Sequence, residues 1–178
     1  MKANTAIISL LILTLGALLF FSSQQSNGYN IDDSKRYASY AAVAFCPKDA
    51  VEAWSCGTTS KYPKLANVTY VENERTKAVS YIGYNPVEKE MVISWRGSCN
   101  IENWIEDFNF EMQPYSKCKG CFIHTGFMED YRLNERKLLI AAKNIMANYR
   151  VDKIVCTGHS LGAALSIISG MELSQIYG

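Results

Sequence analysis

Histidine is scarce in this chain: His124 and His159 are the only two in 178 residues, and no aspartate or histidine follows position 160. Any chemistry that needs an imidazole after that point finds none here. Net charge is also nearly absent, with 18 Lys and Arg against 17 Asp and Glu; loss of an N-terminal stretch containing Lys2 would leave 17 of each. A neutral chain without basic runs is a poor binder of nucleic acid, so no nucleic-acid partner is expected. There are no internal repeats and no low-complexity segments. With 48% hydrophobic and 20% charged residues, the composition fits one globular domain and excludes a disordered or fibrous chain.

What the chain does have begins at its N-terminus. Met1 and Lys2 precede an uncharged apolar run from Ala6 to Phe21, followed by polar Ser22 to Asn27. That is the layout of a secretory signal peptide, expected over residues 1–24. The alternative is an uncleaved signal anchor, because the run approaches the length that spans a bilayer. No later segment could cross a membrane, so no transmembrane helix is expected once the leader is removed.

Six cysteines, at 46, 56, 99, 118, 121 and 156, in a chain entering an oxidising compartment favour disulfides over metal or redox chemistry. Proximity around a loop suggests Cys46 with Cys56. Cys156 lies in an apolar strand, where free cysteine is often an inert buried thiol. Asn67-Val68-Thr69 is an N-glycosylation sequon; it agrees with secretion, although such triplets also occur by chance.

Periodicity places the elements. Tyr37, Tyr40, Ala41 and Ala44 suit a packed helix over 33–45, stopped at Cys46-Pro47. Segments 68–71, 78–84 and 91–95 read as strands, with Asn85-Pro86 opening a hairpin turn between the last two. Over 98–112, Ile101, Trp104, Ile105 and Phe108 fall at i, i+3, i+4 and i+7, the pattern of a short amphipathic helix. A longer helix is predicted over 129–149, a buried strand over 151–156 and a helix over 161–176.

The last strand, the turn Thr157-Gly158-His159-Ser160-Leu161-Gly162 and the following helix form the context that a Gly-x-Ser-x-Gly nucleophile elbow requires. A residue at the tip of so sharp a turn has a strained backbone, so its neighbours two before and two after must be small. The geometry lifts the Ser160 hydroxyl clear of the sheet and aims helix N-terminal N–H groups, including that of Leu161, at the space beside it. The same pentapeptide in an ordinary glycine-bearing loop would carry no chemistry.

Three stretches together resemble the class 3, fungal-type, lipase family of the α/β-hydrolase superfamily. Gly158 to Leu165 is similar to the family's nucleophile elbow, with Ser160 at the nucleophile position. Val92-Ile93-Ser94-Trp95-Arg96-Gly97-Ser98 is similar to its apolar strand ending in Arg-Gly-Ser/Thr. Ile123-His124-Thr125-Gly126-Phe127 matches its apolar-His-x-Gly-Phe stretch. The resemblance runs from about Tyr37 to the last residue. It implies an α/β-hydrolase fold and assigns the oxyanion hole to Ser98 with the Leu161 amide. It also implies that the amphipathic helix bearing Ile101, Trp104, Ile105 and Phe108 is a lid over the site, the other reading being plain core packing. Cys118-Lys119-Gly120-Cys121 resembles a local disulfide of several members. A zinc site of Cys118, Cys121 and His124 lacks a fourth ligand. Cys99 has no assignment.

Residues 161–178 contain one carboxylate, Glu172, which a helix would carry about 18 Å from Ser160. The resemblance uses neither histidine as the base. The expectation is therefore an incomplete α/β-hydrolase fold over 25–178, running through the elbow and its following helix: a partial catalytic domain lacking the triad Asp and His. The expected activity is hydrolysis of carboxylic esters of lipids, acylglycerols or phospholipids, at a lipid–water interface, without cofactor or metal. The protein is expected to be secreted or held in a secretory vesicle or lysosome-like compartment. An inactive truncated homologue binding lipid or a partner is the alternative. Peptidase or acyltransferase chemistry on the same fold fits the Arg-Gly-Ser and His-Thr-Gly-Phe stretches less well.

Overall fold

A computed structural model describes residues 29–57, 61–99 and 111–177. The chain divides into two units, residues 1–32 and 33–178. Of the first, the described part is residues 29–32, where the Asn30 side-chain oxygen accepts the Asp32 N–H at 2.9 Å. The leader expected over 1–24 and the proposed lid residues Ile101, Trp104, Ile105 and Phe108 lie outside the described residues.

The second unit is built on a four-stranded sheet of order β1-β2-β3-β6. Strands β1 (Ala66–Glu72), β2 (Val79–Asn85) and β3 (Glu90–Trp95) form an antiparallel meander, and β6 (Lys153–Gly158) lies parallel to β3. The hairpin turn between β2 and β3 is organised by Asn85, whose Oδ1 accepts the N–H groups of Val87 and Glu88 at 3.0 and 3.3 Å, an Asx-turn.

Every residue of β2 and β3 is buried. Strands covered on both faces carry near-continuous apolar runs for this reason, and here successive side chains still divide between two cores. On one face Tyr81, Val92 and Val155 pack with Tyr40, Val43 and Trp54, from helix α1 (Ile31–Val43) and the segment after the short helix α2 (Lys48–Glu52). On the other, Ile82, Ile93 and Trp95 pack against Tyr131, Leu138 and Ile145 of α3 (Thr125–Asn148) and Leu165 and Ile168 of α4 (Leu161–Tyr177). Each large side chain buried this way contributes roughly 1.5–3 kcal/mol.

Two strands of three residues, β4 (Met112–Pro114) and β5 (Phe122–His124), form a separate antiparallel pair. Cys118–Cys121 closes the loop between them, with Cα atoms 5.4 Å apart. Cys46–Cys56 joins the end of α1 to the segment after α2, at a Cα separation of 6.3 Å. Cys99 and Cys156 are free thiols.

The structure departs from the sequence reading in several places. α3 starts at Thr125, four residues before the expected 129, because the His124 ring caps it: Nδ1 accepts the Phe127 N–H. β6 runs two residues further toward the elbow than expected, and only Val155 in it is buried, since it stands at an edge of the described sheet. Met112, expected to end a helix, opens β4. α2, β4 and β5 are too short to leave a periodic signal.

Candidate active site

β6 passes into α4 through two residues. Ser160 takes a left-handed backbone, φ +55°, a conformation that costs a non-glycine residue of order 1–2 kcal/mol. The strain persists because the flanking backbones interlock. A Cβ on Gly158 would stand 2.2 Å from the Gly162 carbonyl oxygen, and one on Gly162 would stand 2.2 Å from the Trp95 carbonyl oxygen. Neither obstacle is a side chain that could swing away, so both positions demand glycine.

Two of the first amides of this turn are already used. The Gly162 N–H donates to the His159 carbonyl and the Ala163 N–H to the Ser160 carbonyl, both at 2.9 Å. Among the described residues no backbone carbonyl takes the Leu161 N–H. An amide without a backbone acceptor at a helix start, one residue from a serine, is a group that can donate to an oxyanion.

The end of β3 reaches the same place. Trp95 and Gly158 are the last partners of the β3–β6 ladder, after which Arg96-Gly97-Ser98 continues beside the elbow. The approach is close: a Cβ on Gly97 would stand 2.4 Å from the His159 carbonyl oxygen. Arg96 holds this strand end toward β2, its N–H donating to the Val79 carbonyl and its guanidinium to the Lys77 carbonyl, both at 2.9 Å. Ser98 is partly buried. The register thus brings Ser98 and the Ser160–Leu161 turn to one end of two adjacent strands.

α4 is locked beneath the elbow by the Trp95 indole N–H, which donates to Ser169 Oγ at 2.7 Å inside the core. The remaining titratable groups nearby are engaged elsewhere. The exposed His159 ring stands edge-on to Phe45, centroids 6.1 Å apart, while His124 lies against Phe127 as the cap of α3. Glu172 is buried, accepts the Tyr115 hydroxyl at 2.8 Å and pairs with Lys117. Burial and this carboxylate push the Tyr115 phenol up to about 12. Glu172 therefore fastens the disulfide-closed loop to α4. Burial likewise pushes the Cys156 thiol up to about 12, which keeps it protonated and unreactive.

Two hollows flank the region. One of about 250 Å³ lies between the β4–β5 pair and α4, lined by Met112, Phe122, Phe127, Ile167 and Ile168 among others. The second, about 380 Å³, follows the outer edge of β6 between Met146, Ile154, Leu173 and Tyr177. Phe45 against His159, Ser169 on Trp95 and the Glu172 clamp were not anticipated from the sequence. Each pairs residues far apart in the chain, and no local pattern marks them.

The family model described as lipase (class 3) matches residues 92–177. A secreted mono- and diacylglycerol lipase of Fusarium solani is 30% identical over 156 residues, covering 82% of this chain and 46% of that protein. A lipase of Rhizomucor miehei is 34% identical over 88 residues, 49% of this chain and 24% of that one. Among solved structures, the triacylglyceride lipase of Rhizomucor miehei superposes with a TM-score of 0.71 at 24% identity, over 84% of this chain and 58% of that one. Lipase II of Rhizopus niveus gives 0.72 at 23% identity over the same shares. The chain thus spans about half the length of the curated relatives it matches.

Proposed function

Since the chain belongs to the class 3 lipase family and carries part of the α/β-hydrolase fold, we propose that it is the nucleophile-bearing part of an acylglycerol ester hydrolase. The observation that supports this most is the left-handed Ser160 at the strand-to-helix turn, pinned by Gly158 and Gly162.

In this reading Ser160 Oγ attacks the acyl carbonyl carbon and its proton passes to a general base. The carbonyl oxygen becomes an oxyanion held by the Leu161 amide and the Ser98 hydroxyl. Collapse breaks the C–O bond to glycerol, the leaving oxygen takes the proton back, and water then hydrolyses the acyl-enzyme. No cofactor enters these steps. The base is not among residues 161–178, which hold neither His nor Asp; the reading requires a histidine and its orienting carboxylate from outside these 178 residues. Residues 1–24 act as a secretory leader and 25–178 as part of the catalytic domain. Release outside the cell fits relatives named as secreted. Among the described residues no helix is long and apolar enough to cross a membrane.

Sequencing the transcript through and beyond the Gly178 codon tests this reading: codons for an Asp and then a His support the enzyme, and a stop codon at that point overturns it. The proposal includes the lid that the family resemblance implies, with Ile101, Trp104, Ile105 and Phe108 as its apolar face. Trp104→Ala should then lower hydrolysis of an acylglycerol emulsion more than that of a soluble short-chain ester, and equal effects on both would remove the lid.

A further inference from the structure

We infer that Asn67 carries an N-linked glycan that covers the outer edge of β1. Asn67-Val68-Thr69 is the only Asn-x-Ser/Thr triplet with a non-proline centre in the 178 residues. Sequence alone gives such a triplet little weight, but the backbone around it is particular. Ala66 pairs with Tyr84 and Thr69 with Ile82, so two residues of β1, Asn67 and Val68, oppose the single Gly83 of β2. That two-to-one count is a β-bulge.

The bulge separates its two residues. Val68 turns inward and packs over Gly83, where an added Cβ would stand 3.1 Å from Val68 Cγ2, and it joins the core on the α1 side. Asn67 takes the left-handed backbone, φ +51°, and is exposed. Asparagine is one of the few non-glycine residues that accept this conformation readily. Among the described residues no hydrogen bond engages its side-chain amide. The acceptor nitrogen therefore stands outside the ladder with room for a bulky, hydrated substituent.

The position also gives the glycan a role. β1 is an edge of the described sheet, and an edge presents unpaired N–H and C=O groups to other chains. A glycan on its bulge obstructs such pairing. The bulge also stands at the far end of the sheet from the elbow: Ala66 pairs with Tyr84 and Tyr84 with Met91, next to Glu90, whereas Gly158 pairs with Trp95 at the other end of β3.

This inference rests on the reading of residues 1–24 as a secretory leader. The test translates the whole chain, with its own N-terminus, in the presence of microsomes, and examines the protease-protected fraction before and after treatment with peptide N-glycosidase. The expected result is one glycan on the protected chain, with Asn67 converted to Asp on its enzymatic release. Asn67→Gln and Thr69→Ala should lose it and Thr69→Ser keep it. A protected chain without the glycan overturns this inference alone; no protected chain at all overturns it together with the leader.

Discussion

The two ends of the β3–β6 strand pair are built on opposite plans. At the end that carries Ser160, Gly97, Gly158 and Gly162 leave no side chain between three stretches of backbone. At the other end, Glu90 and Lys153 open the ladder. There Glu90 Oε1 accepts the Tyr37 hydroxyl at 2.7 Å and Lys153 Nζ at 3.2 Å, with the Arg36 guanidinium 3.6 Å away and also paired to Glu88. The upper end has a shape that only missing side chains allow. The lower end is fastened by long charged side chains that tie α1 to the sheet. The Ser160 turn is strained by its own geometry, and the rest of the sheet supplies the rigidity that holds it.

Substitutions at the two ends should therefore fail differently. The largest effect is expected for Gly162→Val, which drives a branched side chain into the backbone of Trp95 and Arg96. It should cost about 3 kcal/mol or more, or prevent folding, as read from the urea midpoint. A loss below about 1 kcal/mol would mean the turn is looser than described. Glu90→Ala at the other end leaves Arg36 and Lys153 without their shared carboxylate. Because Lys153 is half exposed, a loss of about 2 kcal/mol is expected, below the range for a fully buried pair. Ser169→Ala strands the buried Trp95 indole N–H and should cost about 1 kcal/mol. An unchanged midpoint would show that the indole finds another acceptor.

The contrast also explains how much could be read beforehand. The elbow was legible because its requirements fall within five consecutive residues, Gly158 to Gly162, and follow an apolar strand. The central strands were legible because burial on both faces leaves apolar runs. The clamp at Glu90 was not, since its partners stand 53 and 63 residues away along the chain, where Tyr37 reads as part of a packed helix and Lys153 as an ordinary surface charge. The early start of α3 was hidden because Thr125 and Gly126 are weak helix formers. Only the His124 ring, folded back onto the Phe127 amide, marks the true boundary. The bulge at Asn67 left no trace beyond its sequon.

We propose Ser160 as the nucleophile on the strength of its left-handed backbone at the strand-to-helix turn. The most direct test of this proposal is the hydrolysis of a diacylglycerol emulsion by the protein carrying these residues with its base and acid, compared with Ser160→Ala. Loss of activity by about a thousandfold or more, with the folded state retained, is the expected result. Turnover within about tenfold of the parent would contradict it and move the chemistry to another residue.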